Sequence, residues 1–319
     1  MWNVDWGKIV KDARMDYGMT QEELSWGICN VSTLSRIETG HTDPSLQNIE
    51  AIFNKLELSD SMVELLAYVC GGEVARLRAL VRQALIYGKT QRAEEILTEL
   101  KPYVCEENKE NWLYFEFMLF MSRVQYLLDM GMSLEQAEQN LGAEACVWRM
   151  INLLHPNVDP SVRDFSDFGS MAYTNTELMI LNANAMGDCH SGDVIRGKSK
   201  MESLFSIAYR LHRPGEQYHA MMAALSINLA SIYMKDRDYG LAELVLHYGI
   251  RQVMHAYRPD LHMKMLRLSC ELNGALHRYE ARNDACFALH TIYEYLPVDL
   301  RPVAHFDDLW KLPIEVFIF

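Results

Sequence analysis

Three helical segments recur along the second half of the chain at a nearly constant spacing, and this repetition constrains the fold most strongly. ILNANAMGDCHSGD, SINLASIYMKDRDY and ELNGALHRYEARND align on Asn182, Asn228 and Asn273, which are 46 and 45 residues apart. A repeat of this length holds two helices and a turn, and such pairs bury their apolar faces by stacking on one another. We therefore predict an all-α chain in which roughly five helix pairs stack into a curved solenoid with a concave face.

The middle segment resembles a tetratricopeptide repeat. Its matching positions are Leu229, Ala230, Tyr233, Tyr239, Ala242 and Leu246. Residues 75–100 fit the same template, and residues 120–144 fit it more loosely. The resemblance implies a tetratricopeptide-like repeat domain with degenerate units.

The N-terminal region shows four shorter helical patterns instead of long pairs. Thr20 and Glu23 form the pattern of a capping box, which predicts the start of the second helix. Ser32 is a favoured N-cap residue and predicts the start of the third helix. A fourth helix is predicted after the turn Asp43-Pro44-Ser45.

The differences in helical pattern along the sequence divide the chain into four predicted parts. Residues 1–60 form the first domain, and residues 61–71 form a connector helix that ends at Gly71-Gly72. Residues 72–296 form the repeat domain. Residues 297–319 end in the apolar run PIEVFIF and are assigned as a C-terminal cap or dimer tail, because such a run needs a cover.

The string MTQEELSWGICNVSTLSRIETGHTDPSLQNIEAI resembles the helix-turn-helix of Cro-like phage repressors, and the resemblance covers residues 7–58. The stretch between Gln21 and Glu38 is one residue shorter than in most phage repressors. Its Gly27-Ile28-Cys29 form is similar to that of the pheromone-responsive (RRNPP-type) regulators of the Rgg and PlcR groups. That family implies a transcription regulator that binds DNA and a short peptide.

The resemblance also implies which residues would meet DNA, since the second helix of the motif enters the major groove by its N-terminal residues. Thr33, Ser35 and Arg36 would face the groove, Asn30 and Ser32 would lie at its mouth, and Gln21 would bind phosphate. The alternative for Ser32 is helix capping alone. Arg14 and Glu38 match a family pair that forms a buried structural ion pair.

Charge argues against strong DNA binding by a single copy. The chain carries a net charge of −13, and residues 1–58 hold nine acidic and five basic residues. Because Lys and Arg contacts to phosphate usually dominate affinity, we expect useful binding only from a homodimer on an inverted repeat. Its half-sites would lie about 34–36 Å apart.

The repeated asparagines are the candidate peptide-binding groups. Asn182, Asn228 and Asn273 occupy groove-facing positions of the repeat, and an amide side chain can pair with both groups of a peptide backbone. Arg78, Arg82 and Arg123 occupy comparable positions and could bind a carboxylate. The alternative is that the asparagines cap or bridge neighbouring helices.

The sequence gives little support for an enzyme, a metal-binding protein or a membrane protein. Seven cysteines stand without a Cys-x-x-Cys pair, and eleven histidines include no metal-binding motif. Nucleotide-binding and hydrolase motifs are absent from the sequence, so we predict no enzyme, metal or cofactor. The N-terminus lacks a signal-peptide pattern, and the longest apolar stretch, Trp112–Met121, is interrupted by Glu116, which favours a cytoplasmic protein with no membrane partner.

The sequence therefore favours a cytoplasmic, homodimeric transcription regulator that a short signalling peptide controls through the repeat domain. Two alternatives stay open. The repeat domain could be a scaffold for a folded protein partner, with the helix-turn-helix serving dimerisation. The chain could also be a regulator of the same fold without a peptide ligand.

Overall fold

The computed structural model describes most of the chain as helices. The described residues are 6–42, 44–56, 73–105, 109–154, 165, 173–211, 216–256, 258–297, 301–302, 305–312, 314 and 316. Every regular element within them is helical, which confirms the all-α prediction. The predicted connector at 61–71 and part of PIEVFIF lie outside the described residues.

Four short helices form the first unit: α1 (Trp6–Asp16), α2 (Gln21–Ser25), α3 (Val31–Glu38) and α4 (Leu46–Lys55). Helices this short are marginal alone, so packing of their apolar faces must stabilise them. The shared core contains Val10, Leu24, Leu34, Ile37, Ile52, Phe53 and Leu56. A Cβ on Gly7 would lie 2.2 Å from the Ile37 carbonyl oxygen, so α1 crosses α3 at a distance that only glycine permits.

Side-chain caps fix where α2 and α3 begin. Glu23 N–H donates to Thr20 Oγ1 at 3.1 Å and Thr20 N–H donates to Glu23 Oε2 at 2.7 Å, which completes the capping box. Helix α3 is capped by Asn30, whose Oδ1 accepts from Thr33 N–H at 3.0 Å. The prediction that Ser32 caps this helix is wrong, because Ser32 already lies in its first turn.

The second unit contains longer helices. They are α5 (Glu73–Ile86), α6 (Thr90–Leu100), α7 (Lys109–Asp129), α8 (Leu134–Leu141), α9 (Ala143–Leu154), α10 (Asn175–His190), α11 (Val194–Leu211), α12 (Glu216–Lys235), α13 (Tyr239–Ala256), α14 (Pro259–Ala275) and α15 (Tyr279–Tyr295). Consecutive helices pack as the pairs α5/α6, α10/α11, α12/α13 and α14/α15. The first helices of the last three pairs, α10, α12 and α14, lie side by side, and we call the surface they form the groove.

A buried ionic cluster joins α10 to α11. The Nζ atom of Lys200, a fully buried side chain, lies 2.8 Å from Asp188 Oδ2 and donates to Asn184 Oδ1 at 2.6 Å. Arg196 binds the same carboxylate through Nη2 at 2.8 Å. A buried ammonium is tolerated only when its donors find such partners, so this cluster fixes the register of the two helices.

The chain returns to the groove after α15. A 3₁₀ turn at Phe306–Lys311 places Leu309 against Met263, Leu289 and Tyr293, so the turn covers the last helix pair. Ile314 and Val316 belong instead to the main core, with residues of α10 and α12. We call residues 309–312, 314 and 316 the return segment. The described residues of this part thus cover the last pair and also reach the two preceding pairs.

Candidate functional site

The N-terminal end of α3 presents a polar surface organised by Asn30. Asn30 Oδ1 accepts from Ser32 Oγ at 2.9 Å and from Thr33 Oγ1 at 2.6 Å, in addition to the backbone of Thr33. Asn30, Ser32 and Arg36 are exposed, whereas Thr33 and Ser35 are half-buried. The helix therefore offers hydroxyl groups held by Asn30 at its N-terminal end and one exposed guanidinium, Arg36, in its last turn, groups that suit base edges and phosphate.

Arg14 and Glu38 form a two-point ion pair between α1 and α3. Arg14 Nε donates to Glu38 Oε1 at 2.6 Å and Nη2 donates to Oε2 at 2.9 Å, while Nη1 donates to the Met19 carbonyl at 2.7 Å. Gln21 Nε2 donates to the same Glu38 Oε2 at 2.8 Å. Burial alone would raise the pKa of Glu38, but the hydrogen bonds from Arg14 and Gln21 outweigh it and lower the pKa.

This network and a buried lysine leave the surface of the first unit with few exposed basic side chains. Lys55 is 1% exposed, and its Nζ donates to the Trp26 carbonyl at 2.8 Å, which ties α4 to the turn after α2. Arg14 neutralises Glu38. Of the basic residues described in this unit, those left exposed are Lys8, Lys11 and Arg36. The Gln21 amide, which the sequence assigned to phosphate, is directed to Glu38 in this structure.

The groove holds the return segment through side-chain amides. Asn228 Nδ2 donates to the Val316 carbonyl at 2.7 Å, and Val316 N–H donates to Asn228 Oδ1 at 2.7 Å. Asn182 Nδ2 donates to the same carbonyl at 2.7 Å, and Asn228 Nδ2 also donates to Asn182 Oδ1 at 2.9 Å. Both asparagines are 0% exposed. The repeat spacing thus brings two of the three aligned asparagines onto the backbone of one residue, Val316.

Arg267 on α14 supplies the third contact to the return segment. Its Nη1 donates to the carbonyls of Leu309 at 2.7 Å and Leu312 at 2.6 Å, and its Nη2 donates to the Trp310 carbonyl at 3.1 Å. Sequence reasoning missed Arg267 because it lies six residues before the aligned Asn273. Its only sequence signal is a basic residue on the first helix of a pair.

The other predicted groove residues have different partners. Asn273 Nδ2 donates to the Ser269 carbonyl of its own helix at 2.9 Å. Arg78 Nη1 donates to Asn111 Oδ1 at 2.7 Å, and its guanidinium lies 4.1 Å from the centre of the Tyr114 ring. The remaining two predicted residues are Arg82, which is half-buried on α5, and Arg123, which is exposed on α7.

A cleft of about 260 Å³ lies between the two units. On one side it is lined by the turn Trp26–Ile28, and on the other by residues that include Thr174 and Glu177 at the start of α10. Thr174 and Glu177 form the capping box of α10, the helix that carries Asn182. Helix α10 therefore contacts the return segment through Asn182 in its middle and borders the turn of the first unit at its beginning.

Comparison with known families identifies the first unit. Residues 10–61 match the family model described as helix-turn-helix. The first unit is a helix-turn-helix domain. Comparison with curated proteins gives no match.

Solved structures match over most of the chain. The crystal structure of Bacillus thuringiensis PlcR in complex with the peptide PapR7 and DNA superposes with a TM-score of 0.53 and 19% identity, covering 91% of this chain and 94% of that one. A structure from Listeria monocytogenes EGD-e covers 91% and 92% with 12% identity and a TM-score of 0.44. The PlcR match shows a shared fold, a helix-turn-helix followed by helical repeats, as the sequence predicted.

The described residues give no sign of a metal site or a membrane span. Among them, no three His, Cys, Asp or Glu side chains cluster closely enough to hold a metal ion. Within the same part of the chain, every helix falls short of the length and apolarity needed to cross a bilayer.

Proposed function

We propose that this chain is a cytoplasmic DNA-binding transcription regulator controlled by a short signalling peptide. The observation that carries the proposal is the helix-turn-helix domain, with Asn30 and Thr33 at the leading end of α3 and the exposed Arg36 in its last turn. In this motif that end enters the major groove, where hydroxyl and guanidinium groups read base edges. Its architecture resembles that of PlcR, which was solved with a peptide and with DNA.

Low surface charge makes a homodimer necessary for useful affinity. The three exposed basic residues of each helix-turn-helix can neutralise few phosphates, and a dimer on an inverted repeat doubles that number. With about 0.9 counterions released per phosphate contact, six contacts predict a slope of log K against log salt no steeper than about −5. Titrations of a selected operator from 50 to 300 mM salt, with half-sites about 34–36 Å apart, test this value.

We expect helix α10 to couple peptide binding in the groove to DNA binding by the first unit, because it borders both. A ligand that changes how Asn182 is held also shifts the helix whose capping box borders the Trp26–Ile28 turn. Such a ligand changes operator affinity only to the extent that it binds one arrangement of the two units better than the other.

Selection of operators from random double-stranded DNA tests the proposed function. We expect enrichment of one inverted repeat, and we expect Arg36→Ala to weaken binding at least about fivefold, since a base or phosphate contact of this kind is worth about 1–3 kcal/mol. The matched control is Arg92→Ala, because Arg92 is an exposed arginine paired with Glu95 on α6, in the other unit.

The competing function is a scaffold for a folded protein, which the acidic charge of residues 1–58 favours. Absence of enrichment at both low and moderate salt would support that scaffold and refute the regulator. Enrichment that is equal for the Arg36→Ala variant and the unaltered chain would refute the assigned reading surface.

A further inference from the structure

Two buried side-chain amides, those of Asn182 and Asn228, bind the backbone of a single residue, Val316. We propose that Asn182 and Asn228 form a binding site for extended peptide backbone, that the chain's own return segment occupies it, and that the signalling peptide is an apolar peptide that displaces this segment. The inference rests on the proposed function, because it names the chemistry and the competitor of the proposed ligand.

The geometry at Val316 is that of backbone recognition. Asn228 binds both polar groups of this one residue, accepting from its N–H and donating to its carbonyl, each at 2.7 Å. In an antiparallel sheet, a hydrogen-bonded residue pair exchanges the same two bonds, so the Asn228 amide takes the place of a neighbouring strand. Such contacts recognise any residue except proline, because proline lacks the donor.

The surroundings of the amide pair select apolar side chains. Ile314 is 8% exposed and Val316 is 5% exposed, and both pack in the core that α10 and α12 share. Residues two apart in an extended chain point to the same face, so the site accommodates two apolar residues at the positions of Ile314 and Val316. The amides therefore supply affinity for backbone, and the apolar contacts supply selectivity.

Arg267 keeps the first part of the return segment, residues 309–312, attached when the part with Ile314 and Val316 is displaced. It holds the carbonyls of Leu309, Trp310 and Leu312, so residues after Leu312 can leave the amide pair while the preceding turn stays attached. A tethered competitor acts at a high effective concentration. The apparent affinity of an external peptide is reduced to the fraction of molecules in which the site is open.

The test measures binding of a fluorescein-labelled peptide, LPIEVFIF, to the full chain by fluorescence anisotropy. Val316→Pro removes the N–H that donates to Asn228, which opens the site. We expect this variant to bind the probe at least tenfold more tightly than the unaltered chain. Adding Asn228→Ala to Val316→Pro should abolish binding, whereas adding Asn273→Ala should leave it unchanged, because Asn273 bonds within its own helix.

A second probe peptide allows two ligands to be compared on the same protein variant, so the result does not depend on how well different variants fold. N-methylation of the probe residue equivalent to Val316 blocks the same bond from the ligand side, and should weaken binding to the Val316→Pro chain at least tenfold. Hydrogen exchange on the unaltered chain should show a protected Val316 amide, and Asn228→Ala should remove that protection where Asn273→Ala does not.

Two results would overturn the proposal. The first is equal affinity of the probe, or no affinity, for the unaltered and Val316→Pro chains. The second is equal binding of the methylated and unmethylated probes. Operator selection is a separate measurement, so an enriched operator with either result refutes the displaced-segment model alone. Failed selection with the expected probe binding refutes the regulator and leaves the backbone site standing.

Discussion

Replacing Asn228 with alanine should destabilise the repeat domain more than replacing either other aligned asparagine. The Val316 N–H would lose its acceptor, and Asn182 Oδ1 would lose its donor, while the Val316 carbonyl would keep Asn182 Nδ2. Each buried polar group left without a partner costs about 1–3 kcal/mol. Two such groups set the cost at about 2–6 kcal/mol if the return segment stays in place.

Release of the return segment is the alternative response. If the segment leaves, both orphaned groups reach water, but Ile314 and Val316 lose burial worth about 1.5–3 kcal/mol each. Release would therefore cost about 3–6 kcal/mol. The molecule adopts the less costly of the two responses, so we expect a loss of about 2–6 kcal/mol. Urea unfolding followed by far-UV circular dichroism measures it, with the slope of the transition checked for constancy.

The two other asparagines provide graded controls. Asn182→Ala leaves Val316 fully bonded by Asn228, so it should cost about 1 kcal/mol, the value of a lost hydrogen bond. Asn273→Ala removes only a bond to Ser269 in its own helix and should stay within about 0.5 kcal/mol. Equal effects of Asn228→Ala and Asn273→Ala would refute the claim that the groove amides hold the return segment.

Two further predictions concern the buried ion pairs. The folded-state pKa of Glu38 lies below its usual 4.5, so its pairing with Arg14 should stabilise the domain above about pH 4.5 and be lost as pH falls below it. Glu38→Gln should therefore cost about 1–2 kcal/mol at pH 7 and much less at pH 3.5, by urea unfolding at both pH values, and a pH-independent cost would contradict this. Lys200→Met should cost about 3 kcal/mol, because Asp188 would keep only Arg196, and a melting temperature within 1 °C of the unaltered chain would show that the cluster is dispensable.

The sequence predicted the architecture better than the individual contacts. Apolar periodicity and repeat spacing determine where helices lie. The three aligned asparagines fall on α10, α12 and α14, but Asn182 and Asn228 lie in the interior of their helices whereas Asn273 lies in the last turn of α14. Which side chain reaches the return segment depends on the local rotation and stagger of each degenerate repeat. That is why Arg267 binds the segment while Asn273 bonds within its own helix.

The start of α3 shows a second limit of prediction from sequence alone. Asn30 and Ser32 are both favoured N-cap residues, and local preference cannot separate two candidates that lie two positions apart. The packing of Leu34 and Ile37 into the core of the first unit determines the phase of the helix, and Asn30 then lies at its end. The same tertiary effect directs the Gln21 amide to Glu38, which is distant in sequence.

A site that recognises backbone has a consequence for regulation. The two bonds from Asn228 are equally available to the return segment and to any extended external peptide, so they add little to the difference in affinity between the two. The outcome then depends on apolar fit at the positions of Ile314 and Val316 and on the concentration of the free peptide against the tethered segment. Substitutions at these two positions should therefore set the peptide concentration at which the proposed switch responds, without altering the amides that bind.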